Sequence, residues 1–398
     1  MNIRCTSLTL VSAVVVAVIS TLFVPHKLPH PSHETHASSR YYLASRLSWI
    51  RQSEKLHHHH HHKHHHHHRL KPIPEPICND FPPDFPPAPA DNQSAVLCVD
   101  RNGCCNFTKV QAAIDAVVSS DQTRTIIWIN AGIYFEKVTI PSTKPNITLQ
   151  GQGMYSTAIV WNDTANSTGG TFFSASLTIF APNFIAKNIS FMNVAPRANP
   201  GDVGAQAVAI RISGDMAAFW GCGFFGSQDT LHDDKGRHYF RDCFIQGSID
   251  FIFGNGRSLY EGCKLSSIAN AVADGSKFIT GAITAQGRKT MDDNTGFVFV
   301  NCTIGGTGRI WLGRAWMPFS RVIFAYTFMP QIISPDGWSD LNDATRDQTT
   351  FYAEYQCTGR GADTSLRVPY LQKLNETEAS TFISISYIDG DQWLLPYH

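Results

Sequence analysis

The sequence predicts an all-β chain: a right-handed, single-stranded parallel β-helix entered through one short N-terminal capping helix. Two observations carry this. Four segments share an aromatic residue three positions before a cysteine and an apolar residue two positions after it: Phe219/Cys222/Phe224, Phe240/Cys243/Ile245, Tyr260/Cys263/Leu265 and Phe299/Cys302/Ile304. Their cysteines are 21, 20 and 39 residues apart, with no helical periodicity between them. A unit of that length cannot bury its apolar face alone, but stacked coils bury it continuously. A β-sandwich would show hairpin turns instead, and a propeller would repeat every 40–45 residues or so.

Three stretches follow one another along the 398 residues. Residues 1–25 hold Arg4 and an uncharged apolar run, Ser7 to Val24, ended by Pro25. That run reads as a cleaved signal peptide or as an uncleaved signal anchor, and either places the rest on the non-cytoplasmic side. Residues 26–90 carry fifteen of the eighteen histidines, eleven of them in His57–His62 and His64–His68, followed by the proline-rich stretch Pro72–Pro89. This composition is that of a disordered spacer with a stiff end, although imidazoles also ligate divalent ions. Residues 91–398 form the folded part.

Eight Asn-x-Ser/Thr sequons, at Asn92, Asn106, Asn146, Asn162, Asn166, Asn188, Asn301 and Asn375, and ten cysteines suit an oxidising, glycosylating compartment. Thirty-two basic residues balance thirty-two acidic ones, so no nucleic-acid or other polyelectrolyte partner is expected.

The folded part opens with a helix over Lys109–Ser120, where Val110, Ala113, Ile114 and Val117 share a stripe and Asn106 or Thr108 can cap the start. Short runs rich in Val, Ile, Phe and Thr follow as strands, among them Thr125–Asn130, Ile147–Gln150, Leu177–Phe180 and Ala207–Ile212. Gly132 to Glu136 reads as structural.

Stacking brings chemistry with it. Asp229 and Asp250 each lie seven residues after a repeat cysteine, so the two carboxylates become neighbours on adjacent coils, about 4.8 Å apart. Like charges that close cannot both ionise cheaply; one is held protonated and the other anionic, as a general acid beside a nucleophile requires. The plainer alternative is a pair of Asx turns at the surface. Only His232, His238 and His398 remain in the folded part, which leaves little room for a Ser-His-Asp arrangement.

The same stacking puts Cys243 and Cys263 within disulfide range, about 4.4–6.8 Å between Cα atoms. Cys222 shares their column, so one of the three stays free or pairs elsewhere. Cys98, Cys104 and Cys105 are close enough for a local bridge of open connectivity.

With these residues in view, the chain resembles the pectin methylesterase (pectinesterase) family of plants and bacteria from about Val96 to Leu395. Five segments match in order: GIYFEKV (Gly132–Val138), QAVAIR (Gln206–Arg211), SQDTL (Ser227–Leu231), DFIFGN (Asp250–Asn255) and LGRAW (Leu312–Trp316), and Tyr352–Val368 is similar to the C-terminal region. The resemblance implies a pectin lyase-like β-helix in the cell wall, acting on methyl-esterified pectin without cofactor or metal. A monomer is expected, with proteinaceous inhibitors of such enzymes as partners.

The resemblance also implies roles. Asp250 is the nucleophile, Asp229 the general acid and base, Gln228 and Gln206 the oxyanion donors. Arg314 holds Asp250 anionic, Trp316 offers a face to a sugar ring, and Thr171 in TFFSASL touches substrate. Taken singly, Arg314 also reads as a surface arginine, Trp316 as a core aromatic and Gln206 as a ladder residue.

The family usually has Tyr at Ser227 and Pro at Ala315. Ser227 removes a cleft aromatic, and Ala315 is expected to free the backbone beside Arg314. Residues 26–90 are too short and polar for the inhibitory helical domain of many plant relatives. Competing readings are a pectate lyase or polygalacturonase on the same fold and a non-catalytic wall-binding protein. A lyase would need a calcium-binding carboxylate cluster, and the adjacent pairs Asp233/Asp234 and Asp292/Asp293 read as solvated turns.

Overall fold

The computed structural model describes residues 78, 84–87, 94–119, 123–273 and 275–394. The Ser7 to Val24 run, the histidine block and His398 lie outside them. Among the described residues no helix is long and apolar enough to cross a membrane.

Strands from successive coils assemble into three sheets of eleven, seven and eight strands. One coil runs Ala217–Trp220, Gly223–Phe225, Leu231–Asp233; the next runs Arg237–Arg241, Phe244–Gly247, Ile252–Gly254. Each strand pairs in parallel with its counterpart one coil on. The repeat sets the register: Phe219 faces Phe240, Phe240 faces Tyr260, and Tyr260 faces Phe299. Phe224, Ile245, Leu265 and Ile304 form a second column. The long interval from Cys263 to Cys302 does not break the ladder, because the added residues leave between strands and return in register.

Two features make the coil possible. Between the eleven- and seven-stranded sheets the chain turns on one left-handed residue, Asn188, Gly221, Asp242, Gly262 or Asn301, with φ of 54°, 58°, 53°, 63° and 52°. Gly, Asn and Asp tolerate that conformation best. Inside, Phe219, Phe240, Tyr260, Phe299 and Phe324 stack with centroids 4.9, 4.4, 4.5 and 4.5 Å apart. All five are fully buried.

The expected Cys243–Cys263 disulfide is not formed: Cys222, Cys243, Cys263 and Cys302 are free, buried thiols. Parallel ladders place equivalent side chains side by side and pointing the same way, close to the roughly 4.8 Å strand spacing. A disulfide needs Cβ atoms that converge to about 3.5–4.5 Å. The thiols instead donate to carbonyls of the preceding coil, Cys243 to Phe219 at 3.6 Å, Cys263 to Phe240 at 3.5 Å and Cys302 to Tyr260 at 3.5 Å. These four thiols are expected to resist a small thiol reagent in the native protein and to react once it is unfolded. Rapid native modification of Cys243 or Cys263 would contradict the packing.

The bridges that do form are Cys98–Cys105 and Cys78–Cys104. The second pins residue 78, within the stretch expected to be spacer, to the first coil.

The capping helix is shorter than expected, Val110–Ala116, and its N-cap, Lys109, makes no side-chain cap. Neither Asn106 nor Thr108 caps it. Glu136 does, its carboxylate accepting from the amides of Val110 at 2.8 Å and Gln111 at 3.1 Å. A negative charge at a helix N-terminus is favourable both as a hydrogen-bond acceptor and against the helix dipole. Glu136 is therefore structural, as the sequence suggests.

Candidate active site

Asp229 and Asp250 occupy equivalent corners between the seven- and eight-stranded sheets. Gln228 bridges in parallel to Ile249, and the Asp229 amide donates to the Ile249 carbonyl at 3.1 Å. This sets the two aspartates one above the other. Both are left-handed, with φ of 62° and 48°, the conformation Asp242 also takes at a turn, which aspartate tolerates better than most residues.

Arg314 comes from farther along. It ends the strand Ile310–Arg314, in a column that runs Arg211, His232, Phe253, Ala285, Arg314. The small Ala285 side chain lies between Arg314 and Phe253 in this column. The guanidinium makes a two-pronged contact with Asp250, Nε to Oδ1 at 2.8 Å and a terminal nitrogen to Oδ2. Asp250 is buried and Arg314 half-buried. Two-pronged, charge-assisted contacts of this kind fix direction as well as charge.

The electrostatics separate the two acids. Burial pushes the Asp229 carboxyl well above the usual carboxylate range, the Asp250 charge adds to this, and Arg314 opposes it. Burial works against the charge on Arg314, but Asp250 more than compensates and holds it cationic.

Gln228 sits half-buried beside Asp229, and its Oε1 is buried with no hydrogen-bond partner. Gln206 lies one coil earlier, next to Ala207, whose amide donates to the Gln228 carbonyl at 3.1 Å.

Trp316 is 37% exposed and rests on Gly287, where an added Cβ would lie 3.1 Å from its ring. Its edge meets Phe253 at 6.1 Å; Phe253 stacks on His232 at 4.2 Å, and His232 on Phe172 at 5.0 Å. Thr171 opens the turn Thr171–Phe173 that carries Phe172. A row of rings thus runs from the Thr171 turn to Trp316.

The sequence reading assigned no place in the site to Phe172, His232 or Phe253. The usable signal was their offset, since His232 and Phe253 each stand three residues after an aspartate of the pair. Burial holds the His232 imidazole down to about 4 despite the charge of Asp234, so the ring is neutral near pH 6 and above.

Asp233 and Asp234 are not solvated turns. Asp233 is fully buried, pairing with His238 Nδ1 at 2.5 Å and accepting from the Tyr260 hydroxyl at 2.6 Å. Asp234 accepts from Arg211 at 2.8 Å and from the Ser213 hydroxyl at 2.6 Å. Asp233 ends the strand Leu231–Asp233 and takes its partners from later coils, while Asp234, just beyond it, takes Arg211 and Ser213 from the preceding coil. Asp292 is exposed, and Asp293 accepts from the amides of Lys289 and Thr290, as in a turn.

The two departures also have definite surroundings. Ser227 is buried, its hydroxyl 3.1 Å from that of Ser248 and accepting from the Ala198 amide at 3.3 Å. Ala315 does not free the backbone. Its amide, which proline would lack, donates to the Ser339 carbonyl at 2.8 Å.

Among the described residues no group of three or more His, Cys, Asp or Glu is placed to hold a metal.

Comparison with known proteins agrees with this fold. The pectinesterase family model matches residues 96–391. Probable pectinesterase 8 of Arabidopsis thaliana is 64% identical over 318 residues, covering 80% of this chain and 81% of the relative. Putative pectinesterase 14 of the same plant is 52% identical, covering 77% and 90%. Among solved structures, the pectin methylesterase from carrot superposes with a TM-score of 0.69 at 33% identity, covering 76% of this chain and 95% of that one. The Aspergillus niger pectin methylesterase in deglycosylated form gives 0.65 at 28%, covering 77% and 96%. The chain belongs to the pectinesterase family of carboxylic ester hydrolases.

Proposed function

We propose that the protein hydrolyses the methyl esters of galacturonosyl units in pectin, in the cell wall, after secretion. The observation that carries this reading is the stacked pair: a carboxyl biased toward its protonated form, Asp229, next to a carboxylate locked against an arginine, Asp250.

The ionised Asp250 attacks the ester carbonyl carbon, and the carbonyl electron pair moves onto oxygen. The Gln228 amide, turned to present its Nε2, and the Gln206 amide donate to that oxyanion, a type of contact worth about 3 kcal/mol. When the tetrahedral intermediate collapses, the bond to methoxide breaks and Asp229 supplies the proton that makes methanol. Asp229, now ionised, takes a proton from water as the water attacks the acyl-enzyme anhydride. The galacturonate acid leaves, and Asp250 is again a carboxylate facing Arg314. Trp316 and the Thr171 turn hold the neighbouring sugars.

Of the two acidic pairs that a lyase could use for calcium, Asp233 and Asp234 are committed to His238, Tyr260, Arg211 and Ser213. The test is methanol release from highly methylated pectin by the purified protein, with product chain length and unsaturation followed in parallel. Methanol with unchanged chain length is the expected result. No methanol from a folded sample between about pH 4 and 9 overturns the reading, and unsaturated or shortened products would point to the lyase or the hydrolase.

A further inference from the structure

Residues 315–320 link the strand that ends in Arg314 to the strand Arg321–Ala325, and Trp316 stands on this link. A second segment fastens it from outside. Asp343 caps the short turn Ala344–Gln348, accepting from the Thr345 amide at 3.2 Å, and accepts from Arg346 Nε at 2.9 Å. The far end of Arg346 reaches two carbonyls, that of Ala315 and that of Trp316, the latter at 3.2 Å. The Thr349 hydroxyl donates to the Pro318 carbonyl, and the Phe351 amide to Ser320 at 2.8 Å.

We propose that Arg346 is a positioning residue for ester hydrolysis: by clamping the Ala315 and Trp316 carbonyls it fixes Arg314 on Asp250 and Trp316 at the cleft. Proline, usual at position 315 in the resembling family, would fix one backbone torsion covalently. Alanine leaves that torsion free. In this chain hydrogen bonds restrain it instead, the Ala315 amide held by Ser339 and the two following carbonyls held by Arg346. A planar guanidinium suits the task, because its donors can engage Asp343 and two backbone oxygens at once. Precision matters here, since misplacing a reacting group by about 1 Å can cost on the order of 10²-fold in rate.

The inference rests on the reading of Asp250 and Arg314 given above. Its test compares the full chain with Arg346→Gln and Arg346→Lys, following kcat, KM, the pH profile and thermal unfolding. Arg346→Gln is expected to lower kcat by roughly 10- to 100-fold, with a smaller rise in KM. Its alkaline limb should move to higher pH, because a loosened Arg314 no longer opposes the upward push on Asp229. Lysine should restore part of kcat.

A folded Arg346→Gln with parental kcat overturns the inference. So does a loss that tracks a lower melting temperature, leaves the pH limb in place and is not rescued by lysine. If Arg346→Gln does not fold, absence of any gain in the lysine variant has the same consequence. An active parent with an inactive Arg314→Gln and a normal Arg346→Gln refutes only this inference. A parent that releases no methanol refutes the functional reading and this inference with it.

Discussion

Asp250→Asn is expected to abolish methanol release, by roughly 10⁴-fold or more, as removal of a catalytic nucleophile does. Asparagine has the same shape, so the left-handed corner persists. What is lost is the negative charge that attacks the ester and faces Arg314. The Arg314 side chain is 30% exposed, so water can reach its freed guanidinium and the fold should survive. Methanol release and a thermal melt on the same sample check this. A folded variant retaining more than a tenth of the parental rate would remove Asp250 from the mechanism.

Asp229→Asn should show a divergence: activity down by about 10²–10⁴-fold, stability at neutral pH up. The sign follows from linkage. A carboxyl whose native pKa lies above its unfolded value stabilises the fold fully below the unfolded value, near 4, and loses that contribution as pH rises through the native value. Burial and the Asp250 charge place Asp229 in this class. At neutral pH the parent must therefore keep a disfavoured proton or bury a second negative charge, and asparagine does neither. The melting temperature of the variant minus that of the parent should grow between pH 4 and pH 7. A difference that stays flat or shrinks across this window would contradict the electrostatic account.

What the sequence revealed was whatever the coil repeats. Equivalent offsets from a cysteine become equivalent places in space, so Phe219, Phe240, Tyr260 and Phe299 stack and Asp229 meets Asp250. Spacing cannot tell which way a side chain turns once it is there. Cys243 and Cys263 are neighbours by position, but their side chains run parallel and do not converge. Asp233 follows from the same column logic, yet its burial depends on His238 in the next coil and on Tyr260 in the coil after that.

Contacts between distant segments left no local trace at all. Glu136 caps a helix from 26 residues away. Arg314 reaches Asp250 across 64 residues, and only the resemblance pointed to it.

The interval between Cys263 and Cys302 is nearly twice its predecessors, yet Tyr260 still faces Phe299 and Leu265 still faces Ile304. Length can thus be added at the side of the coil with the Asp229 and Asp250 corners left in place, because each coil answers only to its neighbours. Loops and the carboxylate pair can vary separately through descent: new side walls can appear while the two aspartates remain where they were.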